Sequence, residues 1–162
     1  DDAARRLDLH LDPNPPLGAM WKAERLFTAI CFGFDRDHLY LRLDPDKSLL
    51  NQKGDLLIEC HFQTPARSYR LKVSLAAADH YVLAQRQGDA GWQEASRSGL
   101  IAWNQVLELA VPFKELQAEQ GHTVQMTLLV KGNDLEIARY PRHQPAKFAV
   151  PGPDFEASVW RV

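Results

Sequence analysis

Apolar and polar positions alternate with period two along most of the chain, and the alternation predicts a β-rich domain. The clearest stretch spans 25–44. Leu26, Thr28, Ile30, Phe32 and Phe34 interleave with Phe27, Ala29, Cys31 and Gly33. The strand is apolar on both faces, which predicts a central position. Asp35-Arg36-Asp37-His38 follows as a polar turn, since short acidic side chains bond to nearby backbone amides. Leu39, Leu41 and Leu43 then alternate with Tyr40, Arg42 and Asp44, a strand with one apolar face.

The same reading continues downstream. Leu56, Ile58, Cys60 and Phe62 share one face, and Tyr69, Leu71, Val73 and Leu75 another. Strands are predicted at 81–86 and within 92–103, at 106–111, at 124–130, at 135–140 and at 157–162, with Leu7, Leu9 and Leu11 as a short edge strand. Pro112 suits the first turn of a short helix over 113–119, closed by Gly121. Gly132-Asn133-Asp134 reads as a hairpin turn. Turn signals recur at the spacing of a sandwich or barrel, and no crossover helices are predicted. The expectation is an all-β, antiparallel sandwich of the immunoglobulin or jelly-roll kind with one short helix. Its core should include Ile30, Phe32, Leu39, Leu41, Ile58, Leu71, Val73, Leu109, Met126 and Leu128.

Composition narrows the function classes. The chain has 162 residues, is 45% apolar and carries a net charge of -2. That suits one domain with a core of its own. Residues 1–16 read as a linker or lead-in from an upstream domain, and 17–162 as a single sandwich domain. Acids and bases are interspersed, so no basic stripe points to nucleic acid. No apolar run approaches a membrane span, and the charged start lacks a signal-peptide core. Cys31 and Cys60, each inside an apolar strand, read as reduced core thiols. The expected location is therefore cytoplasmic, with neither nucleic acid nor membrane as partner.

Motifs of catalysis are missing from the sequence: no Gly-x-Ser-x-Gly elbow, no phosphate-cradling glycine loop and no His-Glu-x-x-His. The six histidines are scattered singly. Glu59, Glu108 and Glu136 lie opposite the apolar faces of their strands, which predicts solvated carboxylates. Asp35, Asp37, Asp44 and Asp46 have the oxygen chemistry of a calcium loop. Turn formation is the preferred reading, and the metal and cofactor expectation is none. Large aromatics are usually core residues, but indole and phenol faces also match the C–H face of a pyranose. Trp92 is the first candidate for a carbohydrate platform, because Gly88-Asp89-Ala90-Gly91 precedes it and should lift the ring off the core. Tyr40 is the second, with Arg42 beside it to bond sugar hydroxyls.

Several segments resemble the C-terminal β-domain of family 57 glycoside hydrolases. They are Gly18-Ala19-Met20-Trp21-Lys22-Ala23-Glu24, Phe32-Gly33-Phe34-Asp35 with Leu39-Tyr40-Leu41-Arg42-Leu43-Asp44, and Leu107-Glu108-Leu109-Ala110-Val111-Pro112-Phe113-Lys114-Glu115-Leu116. Arg139-Tyr140-Pro141 and the stretch 155–162 resemble its closing pieces. The match covers 17–162, and Trp21 stands where the family pattern often has His. Wider relatives are DOMON-like sandwiches, among them family 9 carbohydrate-binding modules and the C-terminal domain of glucodextranases. The resemblance implies a non-catalytic accessory domain of a bacterial α-glucan-active hydrolase. Such a domain would dock on the N-terminal catalytic domain of the same polypeptide, bind α-glucan weakly, or do both. The alternative is an independent DOMON-type module holding a sugar, or a haem on Met20 or Met126.

Overall fold

The computed structural model describes residues 5–6, 26–47, 49 and 56–153. Two antiparallel sheets enclose one core. The smaller sheet has the order β1-β2-β3-β9-β8. Its strands are β1 (Arg5–Arg6), β2 (Phe27–Phe34), β3 (His38–Pro45), β8 (Ile101–Trp103) and β9 (Leu107–Pro112). The larger sheet runs β11-β10-β4-β5-β6-β7, with β12 also pairing β10. It holds β4 (Leu56–Gln63), β5 (Ser68–Ser74), β6 (Tyr81–Arg86), β7 (Gln93–Ser98), β10 (Thr123–Gly132), β11 (Leu135–Tyr140) and β12 (Ala146–Ala149).

The alternation is realised as sidedness. All ten expected core residues are buried, and they form one apolar cluster with Phe27, Phe62, Tyr69 and Tyr81. Contacts across the sandwich include Phe32 and Phe34 of the small sheet against Phe148 of the large one, with ring centroids 5.9 and 5.7 Å apart. The Tyr81 hydroxyl donates to the Ala110 carbonyl at 3.0 Å, a polar tie between the sheets. A register shift between Phe27 and Ala29 turns Phe27 inward and Thr28 outward. Two extended residues on one side of a bulge exchange faces in this way. The hairpin after Gly132 has positive φ at both Asn133 (50°) and Asp134 (62°). A two-residue turn of that hand matches strand twist, and Asn and Asp tolerate it.

Four expectations differ in detail. Strand β2 is not central in the described sheet: among the described residues only the two-residue β1 lies beyond it. Its outward residues Ala29, Cys31 and Gly33 are half-exposed, because small side chains cover little surface. Cys60 is a core thiol, but Cys31 lies on the outward side, and both are free. The segment after Pro112 is a chain of tight turns in place of a helix. Glu115, Leu116 and Gln117 amides reach carbonyls three residues back, and Gln117 takes a φ of 46°, which ends helical propagation. The region 92–103 is two strands in different sheets, joined across the sandwich edge at Gly99-Leu100. Strand β12 carried no signal, since it lies between prolines. The expected strands at Leu7–Leu11 and 157–162, like Trp21 and Trp160, fall outside the described residues.

Leu71 lies at the centre of β5 with no solvent exposure. Leu71→Ala should cost about 2–5 kcal/mol, from lost transfer energy plus a residual cavity. Urea unfolding checks this: the midpoint should fall while the slope stays constant.

Candidate functional site

The candidates occupy the two outer faces of the sandwich. On the large sheet, His61, Arg70 and Ala84 form one cross-strand row, and Gln125, Gln63, Ser68 and Arg86 form the next. These side chains point outward, since Cys60, Phe62, Tyr69 and Leu71 between them are buried. Trp92, just before β7, lies against this face. The Arg70 guanidinium sits 4.6 Å from the indole centroid and that of Arg86 4.8 Å. The His61 ring meets the indole edge-on at 6.2 Å. The turn after Arg86, with Gly88 at a φ of 56°, therefore folds the indole back onto the sheet, half-buried, and does not hold it free of the surface. Trp92 walls a depression of about 200 Å³ with His61, Gln63, Ser68, Arg86, Gln125 and Thr127.

One row further along the same face is Glu59, only 1% exposed. A solvated carboxylate was expected, and the register explains the difference. Lys72 is directly opposite Glu59 on β5, and Lys131 projects from β10 on the other side. The lysine ammonium groups lie 3.5 Å (Lys72) and 2.9 Å (Lys131) from its oxygens, and His61 Nε2 is 2.9 Å away. The long lysine stems close over the carboxylate while their heads stay in water. Burial alone pushes the Glu59 carboxyl up, but bonds from His61 and Lys131, and the charges of Lys131 and Lys72, hold it below the usual carboxylate range.

On the outer face of the small sheet, Tyr40 is 43% exposed. It pairs across the strands with Gly33 and Ala110, whose small side chains leave a lane on either side. This lane is part of an open groove of about 670 Å³ with Cys31, Arg42, Leu100, Ala102 and Glu108. The Tyr40 hydroxyl donates to Asp35 Oδ2 at 2.6 Å, which fixes the ring along the strand. That bond raises the Tyr40 hydroxyl's pKa. Asp35 Oδ1 accepts the Asp37 and His38 amides at 2.8 and 2.7 Å, which is the turn chemistry expected of it. Partial burial pushes the Asp35 carboxyl up, but Tyr40 and these amides together bring it below its ordinary value. Arg42 is bound to Asp44 at 2.8 Å and lies 3.7 Å from Glu108, so its guanidinium is largely satisfied.

Trp92 and the pair Tyr40 and Arg42 are thus not one site: the two sheets separate them. The residues that sequence reasoning missed are Glu59, His61, Arg70, Lys72, Arg86 and Lys131. Their signal is cross-strand, and it becomes visible only once strands β4, β5, β6 and β10 are placed in register. Among the described residues no group of His, Cys, Asp and Glu side chains has the geometry of a metal site, and no helix is long and apolar enough to cross a membrane. Comparison of the chain with family models, curated proteins and solved structures gives no match.

Replacing Glu59 with Gln leaves Lys72 and Lys131 converging on a neutral amide. Unfolding free energy at pH 7 should fall by about 2–3 kcal/mol, less than for a wholly buried pair because the lysine heads are partly solvated. The folded carboxyl has the lowered pKa, so its contribution is complete above the unfolded value of about 4.3 and disappears as pH falls through the folded value. Denaturation across pH 2–7 should show the gap between wild type and Glu59→Gln closing in acid; a gap independent of pH would contradict an ionised Glu59.

Proposed function

We propose that this chain is a non-catalytic, saccharide-binding accessory domain and that the depression at Trp92 is its binding site. One observation carries the reading. An indole wall, the Gln125 amide, the Thr127 hydroxyl and the Arg86 guanidinium converge on one shallow depression, whose floor is set by a bonded group of Gln63, Ser68 and the Thr64 and Arg67 carbonyls and by His61 on Glu59. Saccharides need this combination: an aromatic face for ring C–H groups, and both donors and acceptors for hydroxyls. The depression is below the usual range for a pocket that engulfs a small molecule, which suits contact with about one ring of a longer chain. α-Glucan is the ligand implied by the resemblance to the β-domain of family 57 glycoside hydrolases, and the parent polypeptide would then be a glycoside hydrolase.

Titration with maltooligosaccharides, followed by Trp fluorescence and amide shifts, tests the site. One stacked ring contributes about 1–2 kcal/mol, so dissociation constants near the millimolar range are expected. Trp92→Ala should weaken binding about tenfold, and Tyr40→Ala should leave it unchanged. No response up to roughly tens of millimolar would overturn the reading. Purified protein should release no reducing sugar from glucan. Turnover that a single carboxylate substitution abolishes would make it an enzyme.

A second reading has its own observation. The groove at Tyr40 carries exposed apolar surface, with Leu100 at 46% exposure, next to half-buried Ile101. An apolar surface without a deep cleft suits docking of a protein surface, the catalytic domain of the same polypeptide on this reading.

A further inference from the structure

The charges on the outer face of the large sheet are not evenly matched. Lys72, Lys131 and His61 share Glu59. Arg97 pairs with Glu94 at 3.2 Å, and Arg139 with Glu136 at 2.8 Å. These three glutamates are the carboxylates facing outward from β4, β7 and β11 on this face, and each is engaged. Arg70 and Arg86 both rest against the indole of Trp92, with no carboxylate at ion-pair distance among the described residues. The Arg70 Nε is shielded from water with no hydrogen-bond acceptor among the described residues. Arg70 as a whole is half-exposed, so its charge is screened less than that of a freely solvated guanidinium but is not cut off from water. Two lysines on one glutamate leave positive charge at Glu59, and exposed Lys147, opposite Gln125, adds to it; at the depression itself the positive charge is that of Arg86, which is exposed and forms part of the wall.

A neutral sugar has no use for that charge. It would draw on the arginines only as donors, and a glutamine or asparagine would serve as well. A fork of donors without a counter-ion matches the planar oxygens of a carboxylate or the tetrahedral oxygens of a phosphate, both of which accept two parallel bonds. Resting on an aromatic ring is how a guanidinium waits in the absence of an anion, because the contact is favourable yet exchangeable. We infer that the saccharide bound at Trp92 carries an anionic group, a carboxylate or a phosphate ester, received by Arg86 and held in the field of Arg70. The inference rests on the saccharide reading of the same site and replaces neutral α-glucan with an acidic or phosphorylated saccharide as the preferred ligand.

Calorimetric titration of the whole chain separates the two. The probes are maltotriose, a trisaccharide ending in glucuronate, glucose 6-phosphate and inorganic phosphate, at low and at physiological salt. An acidic saccharide should bind about tenfold more tightly than maltotriose at low salt, and the advantage should shrink as salt screens it. Arg86→Gln should bring the affinity for the acidic saccharide down to that for maltotriose measured on the same variant, whereas Trp92→Ala should weaken both ligands. Arg86 is exposed, so this variant should melt with the wild type, whereas Arg70→Gln is a second variant at a half-buried position. The uronate and phosphate arms show which oxyanion is preferred. Equal affinity for neutral and acidic ligands, or an advantage that survives both arginine substitutions, overturns the inference and leaves saccharide binding standing. Inorganic phosphate binding as tightly as glucose 6-phosphate, unaffected by Trp92→Ala, overturns the saccharide reading and this inference with it.

Discussion

A carboxylate shut away from water must be matched by positive charge, and Glu59 imposes that condition on the centre of the large sheet. Its partners come from three strands: His61 from its own β4, Lys72 from β5 and Lys131 from β10. Each is in range only in one register, so a slip of either neighbour by one residue would send a lysine into the core and leave the carboxylate bare. The cluster thus fixes the central strand pairings from the outside, as the apolar cluster does from the inside. It also engages both lysines of its row, one carboxylate between two ammonium groups.

The fold was legible because strand alternation is a local signal. Leu39, Leu41 and Leu43 declare a buried face without reference to any other strand, and the whole set of expected core residues followed from that logic. Local signals failed where a neighbour decides the outcome. The stretch after Pro112 had a helix start, yet its apolar Phe113 and Leu116 are held in the core by tight turns, and the left-handed Gln117 stops further winding. Cys31 looked like a core thiol, but its partner face is Gly33 and Ala29, too small to bury it.

The site was legible in part. Trp92 was singled out from its glycine-flanked turn, and Tyr40 from its place opposite Leu39 and Leu41. Nothing in those stretches indicates that the two lie on opposite outer faces; sheet membership decides that, and β3 and β7 belong to different sheets. Nor could single-strand patterning show Glu59 to be buried. Opposite its apolar neighbours, a glutamate reads as solvated unless the lysines of adjacent strands are already in place. Arg70 and Arg86 are similar: alternating basic residues on outward faces are ordinary, and their meaning comes from sharing one indole.

That shared indole changes what an aromatic platform means. A bare tryptophan offers its face to any ring with axial C–H groups, and binding gains from covering apolar surface. Here guanidiniums already lie near the ring, so a stacking ligand must move one aside. A neutral ring gives up a cation–π contact worth about 0.5–1 kcal/mol at an exposed site for a stacking contact of about 1–2 kcal/mol, which reduces its net gain and keeps binding weak. A ligand that also neutralises the displaced guanidinium recovers more than it removes, since a charge-assisted bond contributes about 1.5–3 kcal/mol. Cation and indole together therefore act as a filter: they set a threshold for neutral rings and lower it for charged ones.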